Sequence, residues 1–283
     1  MSAHDPTIIP LDIILHIVKY AAPSEAALLL QLNRICYHTI LPTLYRSVSL
    51  RALWSLIAFC NAIINGDHLR DHVYTLDIQL DPNQDIDWNF PCLLRPMLEL
   101  VASLTDLTLT IPPRMAWSVF SFSNFPYPFT LKRLLVSPIR DIVEINRFLH
   151  FQHRIEIFGL AYESWSSQFK MDDLILDSNF HNSGLLPYLR QAIVPWPLLP
   201  GLMPRRSVTH VDISSLPLEP ENMIELGQLL WEAIVPLEYL KLGLVVPSTG
   251  PVEPALNHII LLISPCRRLL KELSIRLWSR VSL

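Results

Sequence analysis

The sequence predicts an α/β protein in which a short helical segment is followed by repeated strand-plus-helix units. Two observations predict this class. Apolar residues recur at helical spacing through most of residues 10–64, and an apolar period of about 3.6 residues indicates helices that bury one face. From residue 73 onwards the pattern apolar-x-x-apolar-x-apolar recurs, and helical stripes lie between several of its copies.

The composition predicts a large hydrophobic core that needs neither disulfides nor metals. Hydrophobic residues make up 51% of the 283 residues and charged residues only 17%. The chain has 51 leucines. Its prolines are many, at 24, and its glycines few, at 7, which is typical of short, stiff connections rather than flexible linkers. The four cysteines are far apart and form no Cys-x-x-Cys pair, so we expect free thiols in a reducing compartment.

Charge and hydropathy exclude several classes of partner. The net charge is −4 and no basic tract occurs, which disfavours nucleic acid as a partner. No apolar stretch reaches the roughly 18 residues of a membrane span, and the N-terminus lacks the pattern of a secretory signal. We therefore predict an intracellular protein, cytoplasmic or nuclear, that does not enter membranes.

Residues 10–64 predict three helices and one short strand. Their apolar faces are Ile13, Ile14, Ile17, Val18 and Ala21; then Leu28, Leu29, Leu32, Ile35 and Cys36; then Leu53, Leu56, Ile57, Cys60 and Ile64. Ser24 is the expected N-cap of the second helix. Residues 45–50 alternate between apolar and polar, as in a strand.

The repeated pattern predicts parallel strands. Its copies are Val73/Leu76/Ile78, Leu104/Leu107/Leu109, Leu131/Leu134/Val136, Ile155/Phe158/Leu160, Val208/Val211/Ile213, Leu237/Leu240/Leu242 and Leu270/Leu273/Ile275, with Tyr45/Val48/Leu50 as a first copy and Leu186/Leu189 as an incomplete one. The copies are irregular but recur about every 28 residues, and leucine-rich repeats are roughly 20–29 residues long. We therefore predict a leucine-rich-repeat-like solenoid over residues 51–283; an ordinary α/β sheet is the alternative.

Helical stripes fill three of the intervals between strands: Ile142, Ile145 and Leu149; Leu226, Leu229, Leu230, Ala233 and Ile234; and Leu256, Ile259, Ile260 and Ile263. The last strand is followed by apolar Trp278, Val281 and Leu283, where a solenoid usually has a polar cap. We expect either a truncated gene product or a sheet edge that pairs with something.

The N-terminal segment resembles an F-box. Residues 9–18 read Ile-Pro-Leu-Asp-Ile-Ile-Leu-His-Ile-Val and residues 41–50 read Leu-Pro-Thr-Leu-Tyr-Arg-Ser-Val-Ser-Leu, which are similar to the opening and closing motifs of that family. The whole chain is similar to the F-box proteins with leucine-rich-repeat-like bodies that are common in mushroom-forming fungi. The resemblance implies docking of residues 1–50 to the adaptor subunit of a cullin–RING ubiquitin ligase through Pro10, Leu11, Ile14, Leu15 and Ile17. The alternative is that these helices only cap the repeats.

The residues between the pattern's apolar positions are expected to face solvent and to bind an unknown protein substrate. The candidates are Asp106, Lys132, Arg133, His210, Asp212, Tyr239 and Lys241. Their charges have both signs, which favours a polypeptide partner held by mixed polar contacts. Trp196, between two prolines, is expected either to pack over the end of the solenoid or to form a membrane-touching or partner-binding patch.

Patterns for enzyme chemistry and for metal binding are missing from the sequence. The glycines are too widely spaced for a phosphate-binding loop. The acidic loop that begins at Asp81 has Ile86 and Cys92 where a calcium loop needs Gly and Glu. His68 and His72 have no third zinc ligand nearby, so we expect them to be surface histidines on a loop. We predict a protein without cofactor or metal that is not an enzyme.

Overall fold

The fold is a mixed α/β arrangement built on one parallel sheet. A computed structural model describes residues 10–81, 91–112, 119–120, 127–137, 142–160, 184–217, 219–246, 257 and 270–279. Within these ranges each strand pairs in parallel with the next one along the sequence, and the first and last strands do not meet. The strands are β1 (Ser47–Leu50), β2 (Thr75–Gln79), β3 (Asp106–Thr110), β4 (Arg133–Val136), β5 (Ile157–Leu160), β6 (Gln191–Val194), β7 (His210–Pro217), β8 (Tyr239–Val246) and β9 (Glu272–Ser279).

Helices precede the sheet and lie between most pairs of strands. They are α1 (Leu11–Tyr20), α2 (Pro23–Leu29), α3 (Arg34–Arg46), α4 (Leu53–Asn65), α5 (Asp67–Arg70), α6 (Pro91–Leu98), α7 (Ile142–Phe151), α8 (Leu199–Leu202) and α9 (Pro220–Trp231), with a 3-10 turn at Trp196–Leu198. The predicted helix around Leu256–Ile263 lies outside the described residues, as do Val281 and Leu283.

The register confirms the parallel strands predicted from the repeated pattern. The middle apolar residues of neighbouring copies are direct partners, beginning with Val48, Leu76 and Leu107. In β2 and β3 buried residues alternate with half-exposed ones, because successive side chains of a strand point to opposite faces. The buried residues of all the strands up to β8 join one core with those of α4, α6, α7 and α9.

The prediction for the sixth strand was wrong by three residues. Leu186 and Leu189 were expected to be the first two positions of an incomplete copy, but β6 begins at Gln191 and its aligned residue is Ala192, opposite Phe158. The true copy is therefore Leu189/Ala192/Val194, and all three residues are fully buried. Leu186 lies in a turn with a positive φ of 54°.

The first three helices have a small core of their own, formed by Val18, Ala26, Cys36 and Ile40. Asn33 caps α3, since its Oδ1 accepts a hydrogen bond of 2.8 Å from the amide of Cys36. The predicted cap at Ser24 was wrong: α2 begins at Pro23, which favours the first helical position. There Glu25 accepts from the amide of Ala22 instead.

Two other helices differ in detail from their predictions. The buried face of α4 is Leu56, Phe59, Cys60 and Ile63, whereas Ile57 is 37% exposed. The helix is apolar nearly all round, so the pattern could not select the face that packs. In α9 the helix ends at Trp231, so Ala233 and Ile234 lie beyond it and Ile234 is exposed.

Buried polar side chains satisfy backbone groups where the chain leaves regular structure. Gln152 is 1% exposed. Its Oε1 accepts from the amide of Leu131 at 2.8 Å, and its Nε2 donates to the carbonyl of Phe129 at 3.1 Å. The guanidinium of Arg206, 2% exposed, likewise donates to the carbonyls of Leu185, Gly201 and Leu202.

Candidate functional site

One face of the sheet is covered by the core, and the other carries half-exposed side chains between the buried ones. We call the second face the open face; it includes Asp77, Thr108 and Asp212. Because the strands are in register, open-face residues of neighbouring strands form rows across the sheet. All seven predicted substrate-binding residues lie in these rows or immediately before them. Their role stays a prediction.

Four of these residues form a tight group on β7 and β8. The rings of His210 and Tyr239, which are direct partners in the sheet, stack with centroids 4.2 Å apart. Two residues further along both strands, Lys241 Nζ lies 2.6 Å from Asp212 Oδ2. Thr209 Oγ1 is also hydrogen-bonded to Nδ1 of His210 at 2.8 Å. These side chains hold one another in place.

Two further ion pairs lie towards the ends of the open face. One is beside that group, and the other is at the opposite end of the sheet. Lys271 donates to Glu238 at 2.8 Å; this hydrogen bond lowers the pKa of Glu238 and raises that of Lys271. Arg51 pairs with Asp77 at 2.8 Å, joining the residues after β1 to β2. Most charges towards the two ends of the open face are therefore already neutralised within the protein.

The remaining predicted residues lie near the centre of the sheet. Asp106 accepts a hydrogen bond of 2.7 Å from the hydroxyl of Thr105 and is the register partner of Arg133. Lys132 and Arg133 are exposed. Within the described ranges neither of these two cations forms an ion pair.

Sequence analysis missed the apolar residues at the centre of the open face. Leu135, Gly159 and Ile193 are consecutive partners across β4, β5 and β6, and Ile157 lies in the adjacent row. The three larger side chains are half-exposed. The sequence does indicate these residues, since Leu134-Leu135-Val136 is apolar without alternation. Only polar residues between the pattern's apolar positions were predicted to face solvent.

The predicted adaptor-binding residues lie on α1 and immediately before it. Pro10, Leu11, Leu15 and Ile17 are exposed, and Ile14 is half-buried against the small N-terminal core. They belong to a larger surface that also includes α2 and α3. This N-terminal apolar surface consists of Leu11, Ile13, Leu15, Ile17, Tyr20, Leu28, Leu32 and Ile35, all exposed.

No protein-family model matches the chain, and no curated protein matches it. No described helix has the combination of length and apolar composition needed to cross a bilayer. Within the described ranges, no three His, Cys, Asp or Glu side chains come together as metal ligands would. Function therefore has to be inferred from the residues themselves.

Two residues considered from the sequence have structural roles. His68 was expected on a loop but lies in α5, where its Nε2 is hydrogen-bonded to Tyr37 Oη at 3.0 Å. Trp196 is 5% exposed, and its indole N–H donates to Asn222 Oδ1 at 3.1 Å. Trp196 therefore packs against the body of the protein beside α9 and does not form an exposed patch. The acidic segment 82–90 lies outside the described residues.

Proposed function

We propose that the chain is the substrate-recognition subunit of a cullin–RING ubiquitin ligase. Its N-terminal helices, with their F-box-like motifs, would bind the adaptor subunit, and a leucine-rich-repeat-like body would present a protein substrate. The chain itself would perform no chemistry; it would raise the effective concentration of substrate beside the ligase. It would act inside the cell, in the cytoplasm or the nucleus.

The observation that carries the proposal is the N-terminal apolar surface. Eight large apolar side chains between Leu11 and Ile35 are exposed, whereas only four residues form the buried core of these helices. Exposed large apolar side chains in such number mark a site for a partner, and an amphipathic helix commonly supplies one. The adaptor is the partner that the motifs in residues 9–18 and 41–50 imply.

The sheet supports the second half of the proposal. The nine described strands follow one another in sequence order and pair in parallel, which is what stacked repeats that pack only on their neighbours would give. Such stacked repeats expose a long row of strand residues to one side. That row is suited to binding an extended substrate.

The test is co-purification of the intact chain with the adaptor subunit. We expect Leu15→Asp to abolish binding, because it would bury an unpaired carboxylate at the interface, which costs several kcal/mol. The matched control is Ile224→Asp, which introduces the same charge at an exposed aliphatic residue of α9. Failure of the intact chain to bind, or equal binding by both variants, would refute the proposal.

A second candidate is a scaffold whose N-terminal helices only cap the repeats. It is favoured by the contacts of α3 with the body: Leu41 belongs to the main core, and the Arg46 guanidinium lies 5.7 Å from the centroid of the Tyr74 ring. Removal of residues 1–32 distinguishes the scaffold from the ligase subunit, since a cap is needed for solubility. If the remainder is a folded monomer, α1 and α2 are not needed as a cap; if it aggregates and the intact chain binds no adaptor, the scaffold is favoured.

A further inference from the structure

The centre of the open face differs from its two ends because it is apolar. Leu135, Gly159 and Ile193 occupy one row on β4, β5 and β6. In the same row the residues towards both ends are polar: Ser49, Asp77 and Thr108 on one side, and Asp212, Lys241 and Ser274 on the other. The apolar patch is therefore bounded on both sides within the sheet.

Gly159 allows the patch to be continuous. A Cβ at this position would lie 2.6 Å from Leu135 Cδ2 and 3.0 Å from Ile193 Cβ, so the side chains from the two neighbouring strands occupy the space above the glycine. Ile157 adds a fourth apolar residue in the next row, where it is the partner of Arg133. Together these residues form a half-exposed aliphatic surface that spans three strands, which is about 10 Å.

Three cations lie along the edge of this patch. Lys132 and Arg190 stand directly before β4 and β6, and Arg133 begins β4; all three are exposed. Unlike Arg51, Lys241 and Lys271, none of them is ion-paired within the described part of the chain. One carboxylate, Glu156, lies between Lys132 and Arg190, because its backbone is bonded to both residues.

We propose that this surface, the central patch of Leu135, Ile157, Gly159 and Ile193 with its three cations, binds an extended substrate segment. The segment carries an aliphatic side chain with Asp or Glu residues beside it. This rests on the proposed function, because it names the substrate class of that receptor. The aliphatic side chain covers the patch and excludes water, and the carboxylates meet cations that have no internal partner.

A polypeptide fits this surface better than nucleic acid does. A patch about 10 Å wide matches roughly three residues of an extended chain. Nucleic-acid binding draws its affinity from many phosphate contacts, whereas this surface has three cations, two of them adjacent to Glu156, in a chain of net charge −4. Its centre is also aliphatic rather than aromatic, so it offers no ring on which a base could stack.

The test is selection of binders to the intact chain from a library of random, unstructured peptides, with no adaptor present. We expect the selected peptides to be enriched in Asp and Glu within a few residues of Leu, Ile or Val. We further expect Lys132→Glu/Arg133→Glu to weaken a selected peptide at least tenfold in fluorescence anisotropy. Raised salt should weaken binding to the unaltered chain as well.

Two controls make the outcome decisive. Arg147→Glu reverses one positive charge at an exposed arginine of α7 and should leave peptide affinity within twofold. Leu135→Asp should abolish binding while circular dichroism confirms that the variant is folded. The inference is overturned by selected peptides without acidic enrichment, by no selected peptide, by an equal effect of Arg147→Glu, or by tighter binding of a single-stranded oligonucleotide probe.

The adaptor experiment distinguishes the two proposals. If the adaptor binds but acidic peptides are not selected, the substrate class is wrong and the receptor function stands. If acidic peptides are selected and lose affinity in Lys132→Glu/Arg133→Glu while no adaptor binds, the peptide-binding surface stands and the ligase assignment is wrong.

Discussion

Replacement of Gln152 by leucine should destabilise the protein, although it adds apolar surface to the core. Gln152 is 1% exposed, and its amide satisfies the N–H of Leu131 and the C=O of Phe129. Both of those residues are buried, at 0% and 2% exposure. Leucine has a similar volume to glutamine, so the substitution removes two hydrogen bonds without leaving a large cavity.

The magnitude follows from the two backbone groups that lose their partner. A buried, unsatisfied donor or acceptor costs about 1–3 kcal/mol, so the pair costs about 4 kcal/mol. Burial of the added apolar atoms offsets about 1–2 kcal/mol of this. The net loss is therefore about 2–3 kcal/mol, a large share of the roughly 5–15 kcal/mol by which proteins are stable.

Urea unfolding followed by tryptophan fluorescence measures this change. With a slope near 3 kcal/mol per molar urea, the midpoint for Gln152→Leu should fall by roughly 1 M at unchanged slope. Gln228→Leu is the matched control, because Gln228 is exposed on α9 and the same substitution there should change stability by less than about 0.5 kcal/mol. Equal midpoints for the two variants would show that the buried amide is not needed.

Three further predictions concern the sheet and its core. Gly243→Ala should destabilise the protein by about 1–3 kcal/mol in the same urea assay, because a Cβ there would lie 2.5 Å from the carbonyl oxygen of Ser214; an unchanged midpoint would contradict this. Burial raises the pKa of the Cys60 thiol from 9.0 to about 12, so a thiol reagent should label it only after unfolding. This shift adds stability below pH 9.0 that is lost as the pH rises towards 12, whereas Cys60→Ala should show less of this alkaline loss. Lys241→Met should cost less than about 1 kcal/mol, since its ion pair with Asp212 is partly exposed; a larger loss would contradict that estimate.

The strands could be predicted wherever the repeated pattern used large apolar residues. Leu76, Leu107 and Leu134 sit in register as expected because each fills the same layer of the core. The pattern failed at β6, where the layer is filled by Ala192. Leu186 is fully buried too, but from a turn, and periodicity cannot distinguish a buried turn leucine from a buried strand leucine.

The candidate site was predicted only in part. Charges between apolar positions located the open face correctly, since Asp212 and Lys241 meet there. The sequence could not tell that these two charges neutralise each other while Lys132 and Arg133 form no ion pair with any described residue, because pairing depends on side-chain geometry across strands. It also gave no reason to place Leu135 and Ile193 on the open face, since an apolar residue in a strand is assumed to be buried.

The described strands lie in the sheet in the same order as in the sequence. This order affects how the chain folds and how its sequence can evolve. Each pairing between described strands joins strands that are consecutive in the chain, so the first and last strands do not have to meet before the sheet can form. A strand-plus-helix unit can be gained, lost or altered while the pairing of all the others is retained. The open face can therefore lengthen or shorten one strand at a time, and each step adds or removes one position in every row.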